Sequence, residues 1–323
     1  MKFTCWHIPA LILLCVGSLN AQFTDVINSN RPGESMSAFS VGKTVFQAET
    51  GGYYIEEKNE DNGVEAKGWG VDLQLRYGAF FEQLEFIAEM QYQNDHVDRA
   101  LTDEDRAGFR QLILGGKYLI YDPNKDYEAK PNLYSYRANH KFKWRDLLPA
   151  VGVYGGFNLN LNNPFVPEQE PNFTPKFMVI TQNQFRRSVL VLNFIADKVA
   201  TSYMTIGYIG TFTYGINSRF SAFIENQGFY GDFADENILR GGAAYLVREN
   251  IQVDLSAGTN FRDNPRQFIA GAGLSWRFDD NYETVYLRIP KEEKGKKEDK
   301  NKKKKDKQKR KDGINPETGE PTE

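Results

Sequence analysis

One pattern constrains this chain more than any other: an alternation of apolar and polar residues that keeps returning. In residues 69–77, WGVDLQLRY, Trp69, Val71, Leu73, Leu75 and Tyr77 share one face, while Gly70, Asp72, Gln74 and Arg76 share the other. Residues 84–93 set Leu84, Phe86, Ala88, Met90 and Tyr92 against Glu85, Glu89, Gln91 and Gln93. In 251–258, Ile251, Val253, Leu255 and Ala257 oppose Gln252, Asp254, Ser256 and Gly258. A strict period of two over such lengths specifies a strand with one apolar and one polar face.

Segments of this kind fall at about 44–56, 67–78, 82–94, 109–121, 149–161, 174–183, 187–196, 201–215, 218–229, 237–248, 251–262 and 266–278. That is about 12 strands of roughly ten residues, where soluble sandwiches use strands of about 5–6. Ten-residue strands with aromatic ends match what a tilted strand needs to cross a bilayer. The connections at 78–83, 197–200, 215–218 and 249–250 are tight, which fits an antiparallel meander and excludes parallel crossovers. The expected fold is all-β: a transmembrane up-and-down antiparallel β-barrel, over 43–279. A soluble sandwich or lipocalin-like barrel is the alternative, and it would turn the apolar faces inward. The barrel reading accommodates a hydrophobic content of only 40 %, because one face of every strand meets a polar lumen. Closure also removes the unpaired edges that hydrocarbon does not tolerate.

The N-terminus reads as a processing segment. Lys2, the apolar run from Ile8 to Val16 and small or polar residues up to Ala21 form a secretory signal over 1–21. The run is too short to span a bilayer. Both cysteines, Cys5 and Cys15, lie within it, so disulfide and thiol chemistry are excluded from the exported chain. The expected location is the outer membrane of a Gram-negative bacterium, integral, in contact with lipid and inserted by the barrel-assembly machinery.

Residues 268–278, FIAGAGLSWRF, finish on an alternating series, Leu274, Trp276 and Phe278. It resembles the terminal-strand signal by which outer-membrane barrels are recognised for insertion. The tail beyond it, 280–323, is expected to be disordered. Residues 290–311 hold 13 Lys and Arg against 5 Asp and Glu, and such a segment cannot bury enough apolar surface to fold. An even strand count places both termini on the periplasmic side. The basic tail there either meets anionic headgroups, cell-wall material or an acidic partner, or serves as a solubilising appendage. The same count puts the long connection 122–149 on the periplasmic side, where turns are short. Either the count is off by one or 122–149 is an insert that covers the barrel mouth or meets a partner. External connections are expected near 57–66, 95–108, 162–173 and 230–236.

By parity the lumen wall includes Glu49, Asp72, Arg76, Glu85, Glu89, Lys117, Asn158, Asn160, Glu225, Arg240 and Asp254. Mixed charges in such an interior should pair, since unpaired buried charge is costly. They form either a structural network or a selective constriction. Twelve strands lie between a barrel filled by side chains and one that leaves a water channel. The segment 22–42, ahead of the first strand, can enter the lumen as a plug, with Arg31 meeting lumen carboxylates.

The start of the exported chain, SNRPGESMSAFSVGKTVFQAET (29–50), resembles that of the meta-pathway phenol-degradation family of outer-membrane transporter proteins. The matching residues are Arg31, Pro32, Gly42 and Glu49, with Asn30 where the family commonly has Asp. GGKY (Lys117), SAFIENQG (Glu225), RGGAAY (Arg240, Gly242) and IQVDLSAG (Asp254) continue the resemblance over about 29–278. It implies a barrel that passes small, aromatic or otherwise hydrophobic molecules.

Enzyme readings find little support. His7 leaves with the signal, and His96 and His140 are placed in connections, away from any serine that an outer-wall hydrolase would need. No His, Cys and acid cluster has metal spacing, and neither a cofactor nor a nucleic-acid partner is expected. Gly115–Gly116 and Gly241–Gly242 lie inside strands, with no following helix to make a phosphate loop. Two functions remain open: a passive channel for small solutes, and a structural or accessory barrel of an outer-membrane assembly that meets partners through 122–149 and the tail.

Overall fold

Twelve antiparallel strands close on themselves in chain order, with the last paired to the first. They are β1 Phe46–Asn59, β2 Val64–Gly78, β3 Leu84–Asp98, β4 Asp103–Tyr121, β5 Ala150–Leu159, β6 Phe173–Phe185, β7 Ser188–Asp197, β8 Thr205–Gly215, β9 Phe220–Gly231, β10 Asp235–Arg248, β11 Ile251–Asn260 and β12 Arg266–Phe278. This computed structural model describes residues 26–61, 63–99, 102–125, 147–161, 163–167, 169–231, 235–260 and 265–278. The expected signal segment 1–21 and tail 280–323 lie outside the described residues, as does 126–146 of the long connection.

The alternation sorts side chains as the period of two requires. Trp69, Val71 and Tyr77 point outward and are exposed, while Arg76 and Glu85 point inward and are fully buried. Leu274, Trp276 and Phe278 are on the outer face of β12. Aromatic residues gather at two levels of that outer wall. At the end where the chain enters β1 and leaves β12, here the near end, Phe46 contacts Phe278 (5.5 Å between ring centroids) and pairs across strands with Tyr77. At the far level Tyr54 pairs with Trp69, Trp69 contacts Tyr92, and Tyr92 meets Phe109 edge-on. From Phe46 to Tyr54 the strand runs about 26 Å at roughly 3.3 Å per residue. With a tilt of about 40° this gives a height of about 20 Å, close to the apolar band that aromatic girdles bracket in membrane barrels.

Beyond the far level β1–β4 continue as a charged ladder. It carries Lys58–Glu65 (2.5 Å), Lys67–Glu56 (3.3 Å) and Arg106–Asp95 (2.7 Å). This corrects the placement of His96 in a connection. It stands on β3, with Lys67 and Asp105 as cross-strand partners and its Nδ1 2.6 Å from the Asp105 carboxylate. Among the described residues neither of these cross-strand partners is a serine. The strand was missed there because residues above the bilayer have no apolar face to alternate. His140 lies outside the described residues.

With twelve strands the count is not off by one. Residues 122–149 join β4 to β5 at the near end, on the same side as the chain's entry into β1 and exit from β12. Several wall glycines receive a neighbour's ring, a form of aromatic rescue. The Tyr53 ring lies over Gly70, and the Tyr154 ring over Gly115 and Gly156.

The interior departs from a uniformly polar lumen. β4–β8 also turn apolar residues inward: Ile113, Tyr154, Met178, Ile180, Val191, Ile195 and Ile209 are all buried. They form a core with Met36 and Ala38 from the segment ahead of β1.

Candidate functional site

Residues 26–45 run inside the barrel. The segment starts at the near end, where the Ile27 amide donates to the Glu249 carbonyl in the β10–β11 turn (2.8 Å). It rises to a turn at residues 31–34, returns past Met36 and Ala38, and reaches the near end again at Ser40, whose hydroxyl donates to the Glu82 carbonyl. The exit into β1 depends on Gly42, whose φ of 99° is one that few other residues adopt. It also depends on Gly78, where a side chain would collide with the Gly42 carbonyl.

Having no strand partner, this segment meets its backbone polar groups with wall side chains, as buried amides and carbonyls must be met. The Glu49 carboxylate accepts from the amides of Asn30 and Arg31 (3.0 and 3.2 Å) and from the Ser29 hydroxyl (2.7 Å). Glu225 accepts from the amides of Glu34 and Ser35. Asn193 clamps Met36 from both sides, accepting from its amide (2.6 Å) and donating to its carbonyl (2.9 Å). Gln182 accepts from the Ala38 amide, and Glu85 from the Val41 amide. The Lys117 ammonium donates to the carbonyls of Ser37 and Phe39, both at 2.9 Å.

Two charge centres hold the turn. The Arg31 guanidinium pairs with Asp72 on β2 and with Asp254 on β11 (3.3 Å). Gly51 and Gly273 make room for it, since a Cβ at either position would occupy the guanidinium's place. On the other side Arg240 on β10 pairs with Glu34 and lies 3.8 Å from Glu225. Beneath them a fully buried network binds Arg76 to Glu49 (2.8 Å) and Glu85 (2.6 Å), and Glu85 to Lys117 (3.3 Å). Arg76 also donates to the Asn28 carbonyl. Burial of so many charges is tolerable only because each has a partner of opposite sign.

Above the turn lies a cavity of about 320 Å³, floored by Arg31, Gly33, Glu34 and Met36. Its wall is polar on β1–β4, through Gln74, Glu89 and Arg110 among others, and mixed on β6–β10, where Met178, Ile195, Ile209 and Ile238 stand with Lys176, Gln227, Glu236 and Arg240. At the far end residues 163–167 contact β4. Asn163 donates to the Arg110 carbonyl (2.7 Å), and the Phe165 ring lies beneath the Arg106 guanidinium (5.2 Å).

Of the residues the sequence pointed to, Glu49, Asp72, Arg76, Glu85, Lys117, Glu225, Arg240 and Asp254 all face the interior and touch the N-terminal segment or one another. Glu89 takes a hydrogen bond from Gln74 and lines the cavity. Asn158 bonds Thr174 and Asp197. Asn160 bonds Glu170 within the far-end connection. Sequence reasoning passed over Gln182 and Asn193. Asn193 had left a trace, as one amide on the inward face of the apolar run VLVLNFIA.

The charged residues that carried the resemblance, Arg31, Glu49, Lys117, Glu225, Arg240 and Asp254, are the ones gathered on this segment. The family model described as "Putative MetA-pathway of phenol degradation" matches residues 29–278. The chain belongs to that family. No curated protein matches it in sequence. Among solved structures it is similar to the COG4313 outer-membrane channel from Pseudomonas putida F1. The two share 12% identity over 78% of this chain and 100% of that one, with a TM-score of 0.51. It is also similar to the translocator domain of the autotransporter NalP from Neisseria meningitidis, at 10% identity over 73% of this chain and 89% of that one, with a TM-score of 0.43. At such identities the likeness to the channel is one of fold, and this family member shares with it the closed barrel.

Proposed function

We propose that the barrel is a passive outer-membrane channel for small solutes, with the turn at 31–34 as its constriction. The observation that carries this reading is how the turn is held. It has no strand pairing and rests on side-chain ion pairs at the floor of a cavity of about 320 Å³, whereas the barrel wall is sealed by strand ladders. Ion pairs with a partly exposed partner exchange more readily than buried backbone pairing. The Glu34 side chain is 57% exposed and that of Asp72 is 31% exposed.

The near end, with its mostly short turns, is the periplasmic side in this reading, and solute moves from the far end toward it. The family description, with its reference to phenol degradation, supports small aromatic or otherwise hydrophobic molecules as cargo. The mixed wall of the cavity suits a molecule with an apolar body and one polar group.

The test is single-channel recording of refolded residues 22–323 in a planar bilayer, with and without small aromatic solutes. Stepped conductance that such solutes block or shift is the expected result. A barrel that is folded, as judged by heat-modifiable migration on a gel, yet silent under every condition would overturn the reading.

A further inference from the structure

The Glu34 carboxylate occupies a cationic site that belongs to the wall. It pairs with Arg240 on β10, and Lys176 on β6 lines the same cavity. Lys176 faces the cavity and has no carboxylate within ion-pair distance among the described residues. Arg240 is buried, lines the same cavity, and its Nε–H has no acceptor. Arg240 thus holds Glu34 at short range and Glu225 at 3.8 Å, and the Glu34 side chain is itself more than half exposed.

The surroundings define what else would fit. Met178 follows Lys176 on the inward face of β6, about 7 Å along the strand, and Ile195 and Ile209 continue the apolar surface on β7 and β8. A cation beside an apolar wall takes a small organic acid, with the carboxylate on the cations and the ring or chain on Met178 and Ile195. Of the other carboxylates on the cavity wall, Asp72 pairs with Arg31, Glu49 with Arg76, and Glu89 accepts from Gln74, while Arg240 keeps a second and longer contact, 3.8 Å, with Glu225.

We infer that Glu34 is an internal stand-in for an anionic solute, and that a small amphipathic carboxylate such as benzoate displaces it from Arg240 and takes Lys176, on the same cavity wall, as its second cation. The displaced turn loses one of its two charge clamps. Cargo binding and release of the constriction thus become one event, linked by competition for Arg240. This deepens the channel reading and rests on it for the route of entry, but binding is measurable apart from conduction.

The test is isothermal titration of refolded residues 22–323 in detergent with benzoate, and with benzyl alcohol as its neutral counterpart. In Glu34→Gln the internal competitor loses its charge, and benzoate should bind about tenfold or more tightly. In Lys176→Gln it should bind about tenfold more weakly. Benzyl alcohol should respond to neither change. Unchanged or weaker benzoate binding in folded Glu34→Gln would overturn the inference, as would benzyl alcohol binding that tracks benzoate through both variants. Benzoate binding with this pattern in a barrel that never conducts would uphold the site and remove the channel reading. Conduction without the pattern would do the reverse.

Discussion

Arg31 and Asp254 stand 223 residues apart in the chain and meet inside the barrel, with Nη2 3.3 Å from Oδ1. Asp254 is fully buried, so the pair is shielded from solvent. Asp72 takes the other side of the same guanidinium. Replacing Asp254 with Asn should therefore loosen the turn only in part, while Asp72→Asn/Asp254→Asn should free it. A charge-assisted contact of about 1.5–3 kcal/mol corresponds to a change of roughly tenfold or more in the closed-to-open ratio. Bilayer recordings should show opening frequency rising from wild type to single to double variant.

The space for Arg31 is as specific as its charge partners. Gly273→Ala places a methyl group where the guanidinium lies. The strand can keep its pairing, since Gly273 faces Gly51 and Asp254 in regular register. Gly273→Ala should reproduce the conductance of an Arg31 variant while leaving every charge in place. A conductance equal to wild type in Gly273→Ala would show that the guanidinium can rest elsewhere at no cost.

A different role falls to Arg76. Its side chain is wholly buried and neutralises two carboxylates, Glu49 and Glu85, that are equally buried. Arg76→Ala leaves both without their main partner, a loss of about 3–5 kcal/mol for a broken buried pair. The expected result is a lowered urea midpoint for the refolded barrel, larger than any shift from Asp72→Asn, whose site is partly exposed.

The strands were legible in the sequence because lipid imposes one rule on the whole outer wall. Outward residues at membrane depth are mostly apolar, so Trp69, Val71 and Tyr77 fix the face of β2, and Asp72 and Arg76 follow as interior. Where that rule stops, the reading stopped too, and His96 was lost from β3. β7 was ambiguous for another reason. In SVLVLNFIAD both faces are apolar, because Val191 and Ile195 bury against other wall residues and a segment distant in sequence, through Met36 and Ala38. Periodicity carries no record of a non-local partner. Arg31 was legible as a cation in search of lumen acids. Its particular partners were not, because they are set by register around the barrel and by the gaps at Gly51 and Gly273.

The base of the segment should stay in place while the turn moves. The hydroxyl oxygens of Ser29 and Ser275 lie 2.7 Å apart, and residues 22–323 contain no cysteine. A Ser29→Cys/Ser275→Cys disulfide would tether the base to β12. Oxidised and reduced protein should conduct alike if only residues 31–34 rearrange. If the whole segment withdraws, oxidation should silence the channel and reductant should restore it.

Closure of the lumen by the turn at 31–34 is tested by comparing the single-channel conductance of refolded wild type and Arg31→Ala in the same bilayer. Larger steps are expected in Arg31→Ala, because the guanidinium no longer holds the turn across the lumen between Asp72 and Asp254. Equal conductance from two barrels shown to be folded would contradict it.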